Sequence, residues 1–137
     1  MFNQEKQKDM NFTQQFVAMT MATLNIDGRT EEIEYLTIRN TAKNIGLNHD
    51  EVEEAIKSEM EKPTMLHRIN TDKLSYEEKL HILEACVLVA LCDKELAMKE
   101  VAILNIIARS MALQEELVTL YIAKYVQGDR SMVIEGM

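Results

Sequence analysis

Apolar residues along this chain recur at intervals of three and four, the spacing that separates one face of an α-helix from the other. The first such segment covers 12–25, with Phe16, Met19, Ala22, Thr23 and Ile26 near one stripe. A second covers 30–45 and is expected to bury Ile33, Leu36, Ile38 and Ile45. It should stop at Gly46, which suits a left-handed C-cap. Asn48-His-Asp-Glu51 resembles a capping signature for a third helix over 49–61, ended by Pro63. The acids on that helix, Glu51, Glu53, Glu54, Glu59 and Glu61, read as a solvated face. After a short helical turn at 65–69, Ser75-Tyr-Glu-Glu78 forms the best capping box in the chain. The helix it opens, 76–92, is apolar almost all round from Ile82 onward and belongs at the centre of a domain. Two more helices follow over 97–112 and 114–127, and Gly128 begins a tail. The pattern predicts an all-α fold: a single compact domain of six or seven helices over 12–127. A polar N-terminal tail, 1–11, and a C-terminal tail, 128–137, flank it.

The helical pattern repeats. Displaced by 66 positions, residues 16–52 fall over 82–118 without a gap, and five of the 37 pairs are identical. Three of those, Ala42/Ala108, Leu47/Leu113 and Val52/Val118, are small or apolar packing positions. The other two are carboxylates, Asp27/Asp93 and Glu34/Glu100. A period this long is not that of a solenoid. It predicts one domain made of two pseudo-repeated helical halves.

Composition narrows the partners. With 47% hydrophobic residues the chain can bury a core. Its formal charge is −8, from 23 acids and 15 bases, and the bases are scattered singly. Nucleic-acid binding through phosphates is therefore not expected; cations or a basic protein surface suit the charge better. The longest apolar run, 85–92, has eight residues, far short of the roughly 20 a membrane span requires. Met1 to Met10 is polar and has no secretory signal pattern. Cys86 and Cys92 share a predicted helix and would lie roughly 9 Å apart along its axis, too far for a disulfide. The expected location is cytoplasmic.

The repeated acids carry the candidate chemistry. Each Asp follows an apolar helix, and each Glu comes seven residues later in the first turns of the next. Seven residues of straight helix span about 10.5 Å, too far to share a ligand. A bent loop, as Gly28 permits in the first copy, brings the acids closer. Asp27, Glu34, Asp93 and Glu100 together would offer hard oxygen donors suited to Ca²⁺, Mg²⁺ or Mn²⁺. The same residues equally serve as helix caps and complements of the helix dipole. Neither copy has the alternating ligands of an EF-hand, and no Glu-x-x-His pair of a diiron bundle is present.

At these residues the chain resembles the tellurite-resistance TerB-like family. The resemblance rests on an Asp-Gly turn after an apolar helix, a Glu seven residues after that Asp, and an apolar helix ending near Asn-Ile-Gly-Leu47. The second half repeats it with Asp93, Glu100 and Ser-Met-Ala-Leu113, and the match covers residues 12–125. It implies a small helical protein linked to stress responses, with divalent-cation binding at Asp27, Glu34, Asp93 and Glu100. Glu31 and Glu32 are weaker additions, since Ala97 and Met98 stand in the second copy, and Lys94 replaces the turn glycine.

No catalytic arrangement emerges. His49, His67 and His81 lack zinc-ligand spacing, and Ser75 is a cap without a nucleophile elbow. No phosphate loop is present, so the expectation is a non-enzymatic protein. Met19, Met21, Met98 and Met111 are expected to fill gaps between helices, and Tyr121 and Tyr125 to edge the core. A partner protein or a homodimer is the expected association, with methionine suited to an adaptable groove.

Overall fold

Thirteen residues without a charge, Phe12–Leu24, form the first helix, α1, and the absence of charge lets it be buried almost all round. Its hydroxyls are satisfied internally: Thr20 donates to the Phe16 carbonyl at 2.8 Å and Thr23 to that of Met19 at 3.1 Å, which removes most of the cost of burying them. A reciprocal box starts the helix. The Asn11 side chain accepts from the Gln14 amide and the Gln14 side chain from the Asn11 amide, both at 2.8 Å.

The computed structural model describes residues 10–24, 32–92 and 98–135, with side chains described to residue 126. Among these, α1 is followed by α2 (Glu32–Asn44), α3 (His49–Glu61), a 3₁₀ turn (Leu66–Arg68), α4 (Tyr76–Leu91), α5 (Met98–Ser110) and α6 (Glu116–Glu135). The described chain is all-helical, a single compact domain with no strand. No helix among the described residues is long and apolar enough to cross a membrane.

The predicted caps hold. Asn48 accepts from the Glu51 amide at the start of α3. Ser75 and Glu78 form the complete box that opens α4. Gly46 sits at φ 84° after α2. There Leu47 N–H donates to the Ala42 carbonyl at 3.0 Å and Gly46 N–H to that of Lys43 at 3.0 Å, the paired bonds of a Schellman stop. The end of α5 repeats this: Leu113 donates to Ala108 at 2.9 Å and Ala112 to Arg109 at 3.0 Å. Here the left-handed residue is Ala112, at φ 58°.

The core is shared by α1 and α4, which pack on each other and both contact α2 and α5; α3 closes over α1, and α6 over α4. Among the α-helices each packed pair has a counterpart when α1 is exchanged with α4, α2 with α5 and α3 with α6, whereas the contacts of the 3₁₀ turn with α1 and α5 have none. Phe16, Val17, Ile38, Ile82, Leu83, Leu104 and Ile107 are fully buried. Burial of this kind stabilises by roughly 1.5–3 kcal/mol per large side chain.

Four expectations need correction. Ile33 and Leu36 are 44% and 47% exposed; Ile38 and Ala42 hold the buried face of α2 instead, and a stripe argument cannot rank neighbouring apolar residues by depth. Met98 fills no gap: it stands at the start of α5, 85% exposed. Glu59 is not on a solvated face but 5% exposed, because the chain after α3 folds back over it. Finally, Gly128 does not end the last helix, which runs on to Glu135; a single interior glycine costs only about 1 kcal/mol.

Candidate functional site

Asp27 and Asp93 lie outside the described residues, as does Glu31. Glu34 and Glu100 are described. Each is the third residue of its helix, α2 or α5, half-buried, and each is engaged by another group. Among the described residues α2 and α5 do not pack on each other, so these two carboxylates are presented by helices without a shared face. No group of three or more metal-ligating side chains gathers among the described residues. His49 and His67 are exposed and His81 is half-buried, the last 3.7 Å from Glu77 one turn away.

A different feature lies on the surface of the described residues. An apolar groove of about 890 Å³ runs along α5 beside the turn after α3, lined by Pro63, Met65, Leu66 and Ile106, with Ala22 of α1 contributing. Three local choices place it there. Pro63 cannot continue α3. The carboxylate of Glu59 takes the Thr64 amide at 2.8 Å and the Thr64 hydroxyl at 2.6 Å, and so holds the turn after Pro63 down. The 3₁₀ turn then packs against α1 and α5 and leaves Met65 outward. On α5 the exposed positions Met98, Ala102 and Ile106 fall at spacing four, so an apolar stripe leads along the helix into the groove. Arg109 and His67 line it as well. Arg109 is tied to Glu115 at 2.9 Å.

A polar cluster fastens the opposite pair of helices. On α4, Glu84 accepts from Lys124 at 3.1 Å and from the Tyr125 hydroxyl, both on α6. Burial pushes the Glu84 carboxyl up, but the bonds from Tyr125 and Lys124 outweigh it, and the net direction is down. Burial and the facing carboxylate push the Tyr125 phenol up. Tyr121 moves the same way, first through burial. Both tyrosines edge the core, as their spacing predicts. The arrangement is a clasp between two helices.

The groove went unread in the sequence because α1, the 63–67 turn and α5 are far apart along the chain. Its one local signal is the pair of apolar residues Met65 and Leu66 that follows the proline stop at Pro63. Comparison of the chain with protein-family models, with curated proteins and with solved structures finds no match.

Proposed function

We propose that this chain is a non-enzymatic, TerB-like helical interaction domain, acting in the cytoplasm in a stress-linked, tellurite-resistance-like setting. The observation that carries the interaction reading is the apolar groove beside α5. Its volume is ample for several side chains, and a stripe of exposed apolar residues leads into it. Exposed apolar surface rimmed by polar groups marks binding sites. The ionisable side chains lining the groove among the described residues are the bases Arg109 and His67, on a chain with 23 acids and 15 bases. That favours, as occupant, a partner helix with an apolar face and carboxylates beside its anchors.

The test is selection of helical peptides from a displayed library on the wild-type protein, with the Ile106→Asp variant as counter-target. Groove-dependent peptides enriched in apolar anchors and acids support the reading. Peptides that bind both proteins equally sink it. Sedimentation velocity on the same two proteins reports whether a second copy takes the place of a partner, as a homodimer would require.

A second reading is divalent-cation binding through Asp27, Glu34, Asp93 and Glu100. Supporting it is the finer architecture, in which we infer that the two halves repeat one unit. Helices α2 and α5 start and stop 66 residues apart, at Glu32 and Met98 and at Asn44 and Ser110. Their Schellman stops use Ala42 with Leu47 and Ala108 with Leu113. Glu34 and Glu100 thus hold equivalent places, as two separate sites would require. Chelator-stripped protein melted with Ca²⁺, Mg²⁺, Mn²⁺ or Zn²⁺ tests it. A cation at 100 times its Kd stabilises by about 2.7 kcal/mol, and the Asp27→Asn/Asp93→Asn variant loses that gain. No shift with any cation leaves the acids as caps.

A further inference from the structure

The chain carries ten methionines and two cysteines, and the sulfurs of the described side chains differ in access. Cys86 is fully buried, and that burial, opposed by a hydrogen bond with Thr23, pushes its thiol up to about 12. Peroxides react with thiolates, so Cys86 is inert. Cys92 is half-buried. Met19, Met21 and Met111 are sealed in the core. Met60 and Met65, by contrast, are 60% and 59% exposed, and Met98 more so. A thioether needs no deprotonation, so solvent access decides its reactivity. Of the three exposed methionines among the described residues, Met65 is the one that lines the apolar groove.

We propose that Met65 is an oxidation site through which hydroperoxides change the chemical character of the groove. The sulfur lone pair attacks the terminal peroxide oxygen: the S–O bond forms, the O–O bond breaks, and the departing oxygen takes the proton and leaves as water from hydrogen peroxide or as the alcohol from an organic hydroperoxide. The sulfur is oxidised by two electrons and the peroxide reduced by two. The product is a sulfoxide, a strong polar acceptor set among Pro63, Leu66 and Ile106, where any apolar occupant would bury it without a donor. A reductase acting on methionine sulfoxide, with thiol as reductant, reverses the step and releases water. The exposure of Met65 and the closure of Cys86 leave the Met65 thioether open to oxidant where the Cys86 thiol is not. This holds whether or not the groove takes a polypeptide.

The experiment titrates the full chain with hydrogen peroxide. Peptide mass mapping locates each added oxygen, and an anionic anilinonaphthalene sulfonate dye reports the apolar surface. Met65 gains its oxygen well before Met19, Met21 and Met111, and dye affinity falls about tenfold, with recovery after reductase treatment. In Met65→Leu the dye still binds but its affinity no longer falls on oxidation. In Met60→Leu and Met98→Leu the fall persists. Ile106→Asp weakens dye binding before any oxidant is added. The proposal is overturned if Met65 oxidises no faster than the buried methionines, or if Met65→Leu loses dye affinity as the wild type does. It is equally overturned if Ile106→Asp leaves the dye signal untouched, because the groove then lacks the apolar surface required.

Discussion

Residues 12–61 and 76–126 each contribute three helices to the buried core, and each is tied by polar contacts of a different kind. Some buried apolar positions recur 66 residues apart. Phe16 and Ile82 are both fully buried, as are Ile38 and Leu104, and Val52 on α3 and Val118 on α6 are buried as well. The polar fastenings do not recur. The first half ties α2 to α3 through a two-bond pair, Arg39 to Glu53 at 2.7 and 3.2 Å. The second ties α5 to the approach to α6 through Arg109 and Glu115, at positions that do not correspond. Glu59 anchors the turn after α3, whereas its counterpart 66 residues later, Tyr125, reaches across to Glu84 on α4. Backbone geometry is set by burial and by stops that only certain residues satisfy. Polar ties can be rebuilt wherever two partners meet, and each contributes less.

If that division is right, the largest effects come from the buried apolar positions and are alike in both halves. Phe16→Ala should cost about 3–5 kcal/mol and Ile82→Ala about 2–5 kcal/mol in denaturant unfolding, each with a single cooperative transition. Two separated transitions in either variant would break the comparison, since the halves would then be stabilised independently.

The fastenings come next, and here the halves should differ. Glu59→Ala strands the Thr64 amide and hydroxyl, and should cost about 1–3 kcal/mol. It should also raise amide exchange through 62–67, the segment that forms the groove. Tyr125→Phe removes one hydroxyl while Lys124 still pairs with Glu84, and should cost about 1 kcal/mol without disturbing that segment. Equal costs, or exchange changes at 62–67 in both variants, would show that the two ties are interchangeable after all.

How much of this was legible follows the same division. The helices, the Asn48 and Ser75 caps and the Gly46 stop were readable because each rests on residues a few positions apart. The Asn11/Gln14 box was readable too, from an Asn-x-x-Gln start before an apolar run, and was missed. Burial of Glu59 could not be read, since its partner, Thr64, lies beyond a proline and only the folded turn brings them together. The outward lean of Met98 depends on how α5 rolls against α1 and α4, which no local pattern states. As for the site, Glu34 and Glu100 sit in first turns as expected, while the groove arises from three distant segments.

A smaller effect sharpens the comparison at the two Schellman stops. Gly46, at φ 84°, has open space where a Cβ would stand, so Gly46→Ala meets no clash and pays only for the left-handed conformation, about 1 kcal/mol. Ala112 already carries that strain at φ 58°. Ala112→Gly should therefore stabilise, by up to about 1 kcal/mol after the added freedom of the unfolded chain is subtracted. Thermal melts of both variants check the signs. A destabilising Ala112→Gly would mean that the alanine methyl packs usefully and that the stops are not equivalent.

The smallest effect is a pH dependence belonging to the second half. The Glu84 carboxyl is held below its ordinary value of 4.5: burial raises it, but the Tyr125 and Lys124 bonds prevail. A group whose folded pKa is depressed contributes stability that is fully present above the unfolded value and lost as pH falls through the folded one. The contribution of Glu84 should thus be intact at neutral pH and fade from about pH 4.5 downward. Glu84→Gln should lower stability at pH 7 and flatten the acid limb of a stability–pH curve, so that variant and wild type converge in acid. Because Glu84 and Lys124 are partly solvated, raising the salt concentration should shrink the difference. Parallel acid limbs for the two proteins would remove the carboxylate from the clasp and leave α6 held to α4 by apolar contact alone.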